Sequence, residues 1–93
     1  MLRKRRIEQF IKQHADAAAE LQNWFAIARK AVWRSLLDVR VDFPDADQVG
    51  RILVFNIRHN TWRLIVKVDY RSKLVMVKEL LTHQQYDRGG WKK

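Results

Sequence analysis

Hydrophobic positions fall into two rhythms along this chain. Up to about residue 32 they recur at helical spacing. Ile7, Phe10, Ile11 and His14 stand at i, i+3, i+4 and i+7, one stripe of an amphipathic helix. Leu21, Trp24, Phe25, Ala28, Ala31 and Val32 mark a second stripe, and Asp16 is the expected N-cap before it. Between them Ala15, Ala17, Ala18 and Ala19 carry little bulk, so two helices can approach closely. Residues 6–32 are therefore expected to form two helices, as an antiparallel hairpin or across a sharp kink. Ser35, with Asp38 three residues on, is expected to cap a short third helix. Asp42-Phe43-Pro44-Asp45-Ala46-Asp47 has turn composition.

The rhythm then changes to alternation. Arg51–Ile57, Thr61–Tyr70 and Lys73–Leu80 are rich in Val, Ile, Leu and aromatic residues, as strands are. Tight turns at His59-Asn60 and Arg71-Ser72 would pair Ile57 with Trp62, Asn56 with Arg63 and Val68 with Val75. Strand side chains alternate between faces. Leu53, Phe55, Ile57, Trp62, Leu64, Val66, Val68, Val75 and Val77 then share an apolar face. Asn56, Arg63, Lys67 and Lys78 share the other, with Arg71 at its end. Glu79 falls on the apolar face by this count, so a bulge or a strand end is expected near it. The fold class is α+β, with N-terminal helices packed on one face of a three- to four-stranded antiparallel sheet.

Length changes this picture little: 93 residues suit one domain, 1–93, with one modest core. Charge changes it more. Residues 1–50 hold nine basic and seven acidic residues, net +2, whereas residues 51–93 hold ten and three, net +7. The excess sits on the expected sheet and tail, and such a field attracts polyanions. An acidic protein partner would satisfy it equally. There is no cysteine, which is compatible with a reducing, cytoplasmic compartment and excludes thiolate metal sites. No apolar run approaches the roughly 18 residues of a membrane span. The basic start Met1-Leu2-Arg3-Lys4-Arg5-Arg6 lacks the apolar stretch of a signal peptide.

Candidate chemistry gathers late in the chain. A sheet with one covered face ordinarily shows polar residues to water. Cations collected there without matching acids are less ordinary, because like charges across strands repel, and they point to a phosphate-binding face. Thr82-His83-Gln84-Gln85-Tyr86-Asp87 follows the last strand, and one helical turn there would bring His83, Tyr86 and Asp87 onto neighbouring faces. Thr82 taken alone reads as an N-cap. His83 can exchange protons near neutrality, Tyr86 offers a hydroxyl and a stacking ring, and Asp87 can orient His83 or hold a basic neighbour. Arg63 is the expected phosphate clamp, since its planar fork matches phosphate oxygens. Lys78 and Lys67 would assist it. Asn56 would position substrate, and Arg71 and Lys92 would add backbone contacts. No metal site and no cofactor are expected: His14, His59 and His83 are far apart in sequence, and no glycine-rich phosphate loop is present. Arg3-Lys4-Arg5-Arg6 reads either as a solvated helix start or as an anchor for ribosomal RNA. Trp91-Lys92-Lys93 reads as a loose end or a further RNA contact.

Val54-Phe55-Asn56-Ile57 running into Asn60-Thr61-Trp62-Arg63-Leu64, the 42–47 turn and the 82–87 segment together resemble the HigB toxins of the RelE-like superfamily, over nearly the whole chain. That resemblance implies a RelE-like fold and an endoribonuclease that cleaves messenger RNA on translating ribosomes. It also implies neutralisation by a cognate antitoxin, with a helix-turn-helix protein as the expected partner. Lys67 departs from it, standing where related toxins can carry an apolar residue. Two readings from other classes fit the same charge: a non-catalytic RNA- or ribosome-binding module, and a basic subunit stabilised by an acidic protein.

Overall fold

A computed structural model describes residues 4–58 and 61–90. Helices α1 (Arg5–Gln13), α2 (Ala18–Ala28) and α3 (Leu36–Asp42) precede strands β1 (Asp47–Val49), β2 (Ile52–Ile57), β3 (Trp62–Asp69) and β4 (Leu74–Thr82), and α4 (His83–Asp87) follows. The strands form one antiparallel sheet in the order β1-β2-β3-β4. This is the α+β arrangement expected, with a fourth, three-residue strand at one edge.

The N-terminal helices follow the apolar stripes. Ile7 and Phe10 of α1 and Leu21, Trp24 and Ala28 of α2 are buried. A single 3₁₀ turn, Ala15–Ala17, joins the two helices, and Ala17 is fully buried there. Two capping expectations are overturned. Asp16 does not cap α2; its carboxylate accepts a hydrogen bond from Trp62 Nε1 at 3.0 Å and pairs with Arg58 at 3.5 Å, tying the helix junction to the sheet. Ser35 occupies the N-cap position of α3 without a side-chain bond, and Asp38 instead accepts from the Arg34 amide at 2.9 Å. Helix α2 also stops four residues short of Val32, which is left exposed.

The apolar sheet face is the core. Leu53, Phe55 and Ile57 of β2, Leu64, Val66 and Val68 of β3, and Val77 and Leu80 of β4 are buried in one cluster with the helices. Its centre is aromatic. The Phe55 ring lies 5.3 Å from Trp24, 5.1 Å from Phe43 and 6.0 Å from Trp33, in edge-to-face and stacked arrangements that such rings prefer. Trp33 Nε1 donates to Asp42 at 3.0 Å, so its one polar atom is satisfied at the rim.

Both hairpin registers fall where the alternation placed them: Asn56 opposite Arg63, Ile57 opposite Trp62 and Val68 opposite Val75. The His59-Asn60 turn lies outside the described residues, but Thr61 N donates to Arg58 O at 3.1 Å across it. The irregularity expected near Glu79 is a β-bulge. Ile65 pairs with Glu79 while Val66 pairs with Val77, which leaves Lys78 as the extra residue of β4. The bulge inverts the facing of everything after it. Leu80 turns into the core opposite Leu64, and Glu79 and Leu81 turn to the face of Arg63.

The 42–47 segment is not turn throughout. Asp42 ends α3, and Asp47 begins β1 opposite Val54. Tyr70 Oη donates to Gln48 Oε1 at 2.7 Å, which fastens this short edge strand. Burial, with the Asp38 carboxylate nearby, raises the Tyr70 pKa above its ordinary value.

Candidate functional site

The sheet face opposite α1 and α2 is not uniformly polar. Val54 and Ile65, paired across β2 and β3, are 3% and 1% exposed and form an apolar floor separate from the main core. The expectation of a bare cationic surface is corrected accordingly. Arg63 sits two residues from Ile65 on the same face and is itself only 9% exposed. Its covering comes from the C-terminal end of the chain.

That end is built by the bulge and a cap. With Lys78 extruded, Thr82 pairs with Trp62 and closes β4 beside Arg63. Thr82 is also the N-cap of α4 in a complete capping box. Its hydroxyl accepts from Gln85 N at 3.2 Å, and Gln85 Oε1 accepts from Thr82 N at 3.0 Å. A five-residue helix does not persist alone, so this box and the sheet hold it. The first residue of α4 is His83, and one turn on lie Tyr86 and Asp87.

Three of the candidates thus converge. Arg63 Nη2 lies 3.3 Å from His83 Nδ1. The Arg63 guanidinium lies 5.5 Å from the centroid of the Tyr86 ring, a cation–π contact. Arg63 Nη1 reaches the Trp62 carbonyl at 3.5 Å. His83 Nε2 is 3.4 Å from Asp87 Oδ2. A guanidinium has donors and no acceptor, so His83 Nδ1 must receive its hydrogen bond there.

The other candidates lie apart from this group. Asn56 is exposed directly opposite Arg63 on β2 and borders a shallow cavity of about 140 Å³ with Phe43, Pro44 and Asp45. Lys67 is exposed on the face of Arg63, but four residues along β3 is roughly 13 Å, too far to share one phosphate. Arg71 is farther still, in the β3–β4 turn, where its amide donates to Asp69. Lys78 is exposed in the bulge at the sheet edge. Its carbonyl accepts from Arg6 Nε at 3.1 Å, and Arg6 also pairs with Glu79 at 3.7 Å. Lys78, Arg5 and Arg6 line a groove of about 540 Å³ between α1 and β4, so these two arginines of the N-terminal basic cluster face this strand, whereas Lys4 lies over the Phe25 ring of α2. Lys92 lies outside the described residues.

Two contributors were not singled out by sequence. Trp62 packs against the His14 ring at 4.4 Å while bonded to Asp16, and so fixes the strand position next to Arg63. Leu81, opposite Arg63, comes to this face only through the bulge. Among the described residues no three His, Asp or Glu side chains gather as a metal-binding group. Nor is any described helix long and apolar enough to cross a membrane.

A guanidinium in contact with both an imidazole and a phenol ring can hold a phosphodiester, move a proton and stack a base. Residues 17–89 match the family model of the HigB toxins, described as the RelE-like toxic component of a toxin–antitoxin system. The match includes α2 through α4 and every candidate residue except Lys92, and leaves α1 outside it. No curated protein matches the chain.

Proposed function

Because the chain belongs to the HigB toxins, and so is the toxin of a pair whose partner is a cognate antitoxin, we propose that it is a metal-independent endoribonuclease cleaving messenger RNA on the ribosome. The observation that carries the proposal is the 3.3 Å approach of Arg63 to His83 beneath the Tyr86 ring. In RNA the attacking group is already in the substrate. A base takes the proton of the ribose 2′-hydroxyl, O2′ bonds to the adjacent phosphorus, and the P–O5′ bond breaks as O5′ is protonated. The products end in a 2′,3′-cyclic phosphate and a 5′-hydroxyl. A fixed cation beside the phosphoryl oxygens supplies the largest part of the stabilisation, and the acid–base pair supplies about 10²–10⁴-fold.

In this scheme Arg63 holds the phosphate, His83 moves the proton, and Tyr86 stacks against a base or serves as the acid. Asn56, across the strand pair, positions the neighbouring nucleotide. Lys78 supports the phosphate from the bulge, and the basic groove it shares with Arg5 and Arg6 follows the RNA backbone. Lys67, Arg71 and Lys92 contribute charge to flanking phosphates. The cognate antitoxin is a small helix-turn-helix protein, encoded next to the toxin.

The test is the chemistry of the ends. Ribosome-bound transcripts incubated with the purified protein should acquire 2′,3′-cyclic or 3′-phosphate termini. Arg63→Ala and His83→Ala should each lower the rate by about 10²–10³-fold and relieve growth arrest, with the thermal transition retained. Binding to ribosomes without cleavage would replace this reading with the non-catalytic module. That reading draws on the burial of Arg63, since a guanidinium at 9% exposure meets a phosphate only after the groups above it move.

A further inference from the structure

The neighbours of the two nitrogens of His83 determine where its proton sits. Arg63 can only donate, so Nδ1 carries a lone pair. The Asp87 carboxylate, which can only accept, stands 3.4 Å from Nε2 without a formed hydrogen bond and favours the hydrogen on that nitrogen. Both neighbours select the same neutral tautomer. The two contacts differ in kind, however. The His83 and Asp87 side chains are 58% and 61% exposed and belong to one helical turn, so they move together. Arg63 is buried and belongs to the sheet. The contact that occupies the lone pair therefore crosses from sheet to helix, whereas the contact that places the proton stays within α4.

Resting on the nuclease reading above, we propose that Asp87 is a positioning residue that keeps the His83 proton on Nε2, and that an RNA phosphodiester frees the base by drawing the Arg63 guanidinium off Nδ1. A guanidinium binds a phosphate anion through two charge-assisted bonds, in preference to one bond with a neutral ring. The exchange uncovers the Nδ1 lone pair at the place where the phosphate has docked. Nδ1 then takes the 2′-hydroxyl proton, O2′ bonds to phosphorus, and the P–O5′ electron pair leaves with O5′. O5′ takes a proton from Tyr86 or from water. His83 is left as an imidazolium whose Nε2–H still faces Asp87. Substrate arrival and base release are thus one event, and without a phosphate the base stays engaged.

The experiment follows the ring nitrogens of His83 by long-range ¹⁵N–¹H correlation in the full-length protein, at a pH where the ring is neutral. The probe is a 2′-deoxy dinucleotide, which offers a phosphodiester but no attacking hydroxyl. The free protein should show the Nε2–H tautomer. The probe should move the Nδ1 resonance and leave Nε2–H in place, and Arg63→Ala should show the moved position with no probe present. Asp87→Ala with the probe should gain Nδ1–H population. It should also lose about tenfold in kcat at unchanged KM, a part of what the whole base contributes, and Asp87→Glu should restore most of it. A dominant Nδ1–H form in the free protein would overturn the proposal, as would an Asp87→Ala tautomer balance unaltered by the probe. Wild-type protein that shows the expected spectra and cleaves no RNA refutes the nuclease reading alone. RNA cleavage with the wrong tautomer refutes this inference alone.

Discussion

The two faces of the sheet are built to different rules. The face under α1–α3 is closed by large side chains, with Phe55 against three aromatic rings and Leu53, Leu64 and Val66 fully buried. The opposite face has a small apolar floor, Val54 and Ile65, and a buried cation roofed by one exposed helical turn. Close packing makes the first face intolerant of any change in volume. The second is held by a capping box and a few polar contacts, interactions worth about 1 kcal/mol each. A site that must admit a substrate belongs on the face whose cover can move at such low cost.

The sharpest way to break the distinction is to change volume on the closed face. Phe55→Ala tests the closed face by volume alone and should cost about 3–5 kcal/mol, read as the shift in a urea midpoint. A loss under 1 kcal/mol would show that the four rings do not pack as one group.

Thr82→Ala probes the movable face and should cost only about 1 kcal/mol. Amide exchange should rise in α4 while the β2–β3 amides stay protected, and cleavage should fall with it. Uniformly faster exchange would make α4 part of the global folding unit. The smallest effect concerns the junction between the faces. The Trp62 hydrogen bond, assisted by Arg58, holds the Asp16 pKa below 3.8. The stability this contributes is therefore present above about pH 4 and is lost as the pH falls through the depressed value. Asp16→Asn should lower the melting temperature slightly at pH 7, where the ionised carboxylate is present, and should flatten the fall seen in wild type below about pH 4. An unchanged acid profile would remove Asp16 from the anchor.

Much of the architecture is legible in the pattern of residues. The stripes at Ile7–Phe10 and Leu21–Ala28, both hairpin registers, and a disturbance near Glu79 follow from period and parity. Other parts escape that reading for particular reasons. Edge strand β1 hides because Asp45 and Asp47 have turn composition and three residues carry no alternation to detect. Asp16 looks like a cap because its partners, Trp62 and Arg58, are more than forty residues away. Lys67 reads as a companion of Arg63 because parity reports the face of a strand and not distance along it. In the candidate site, the company of Arg63, His83 and Tyr86 is suggested by their chemistry and their resemblance to a family motif. The burial of Arg63 under α4 is visible in neither.

By itself, then, the sequence determined which surfaces are apolar and how neighbouring strands align, because both follow from local periodicity and from the turns that close each hairpin. Only the tertiary structure decided that the bulge falls at Lys78, that Leu81 turns toward Arg63, and that the lone pair of His83 in α4 is occupied by a guanidinium from β3. Those outcomes depend on how α4 meets the sheet across a distance that no local pattern encodes.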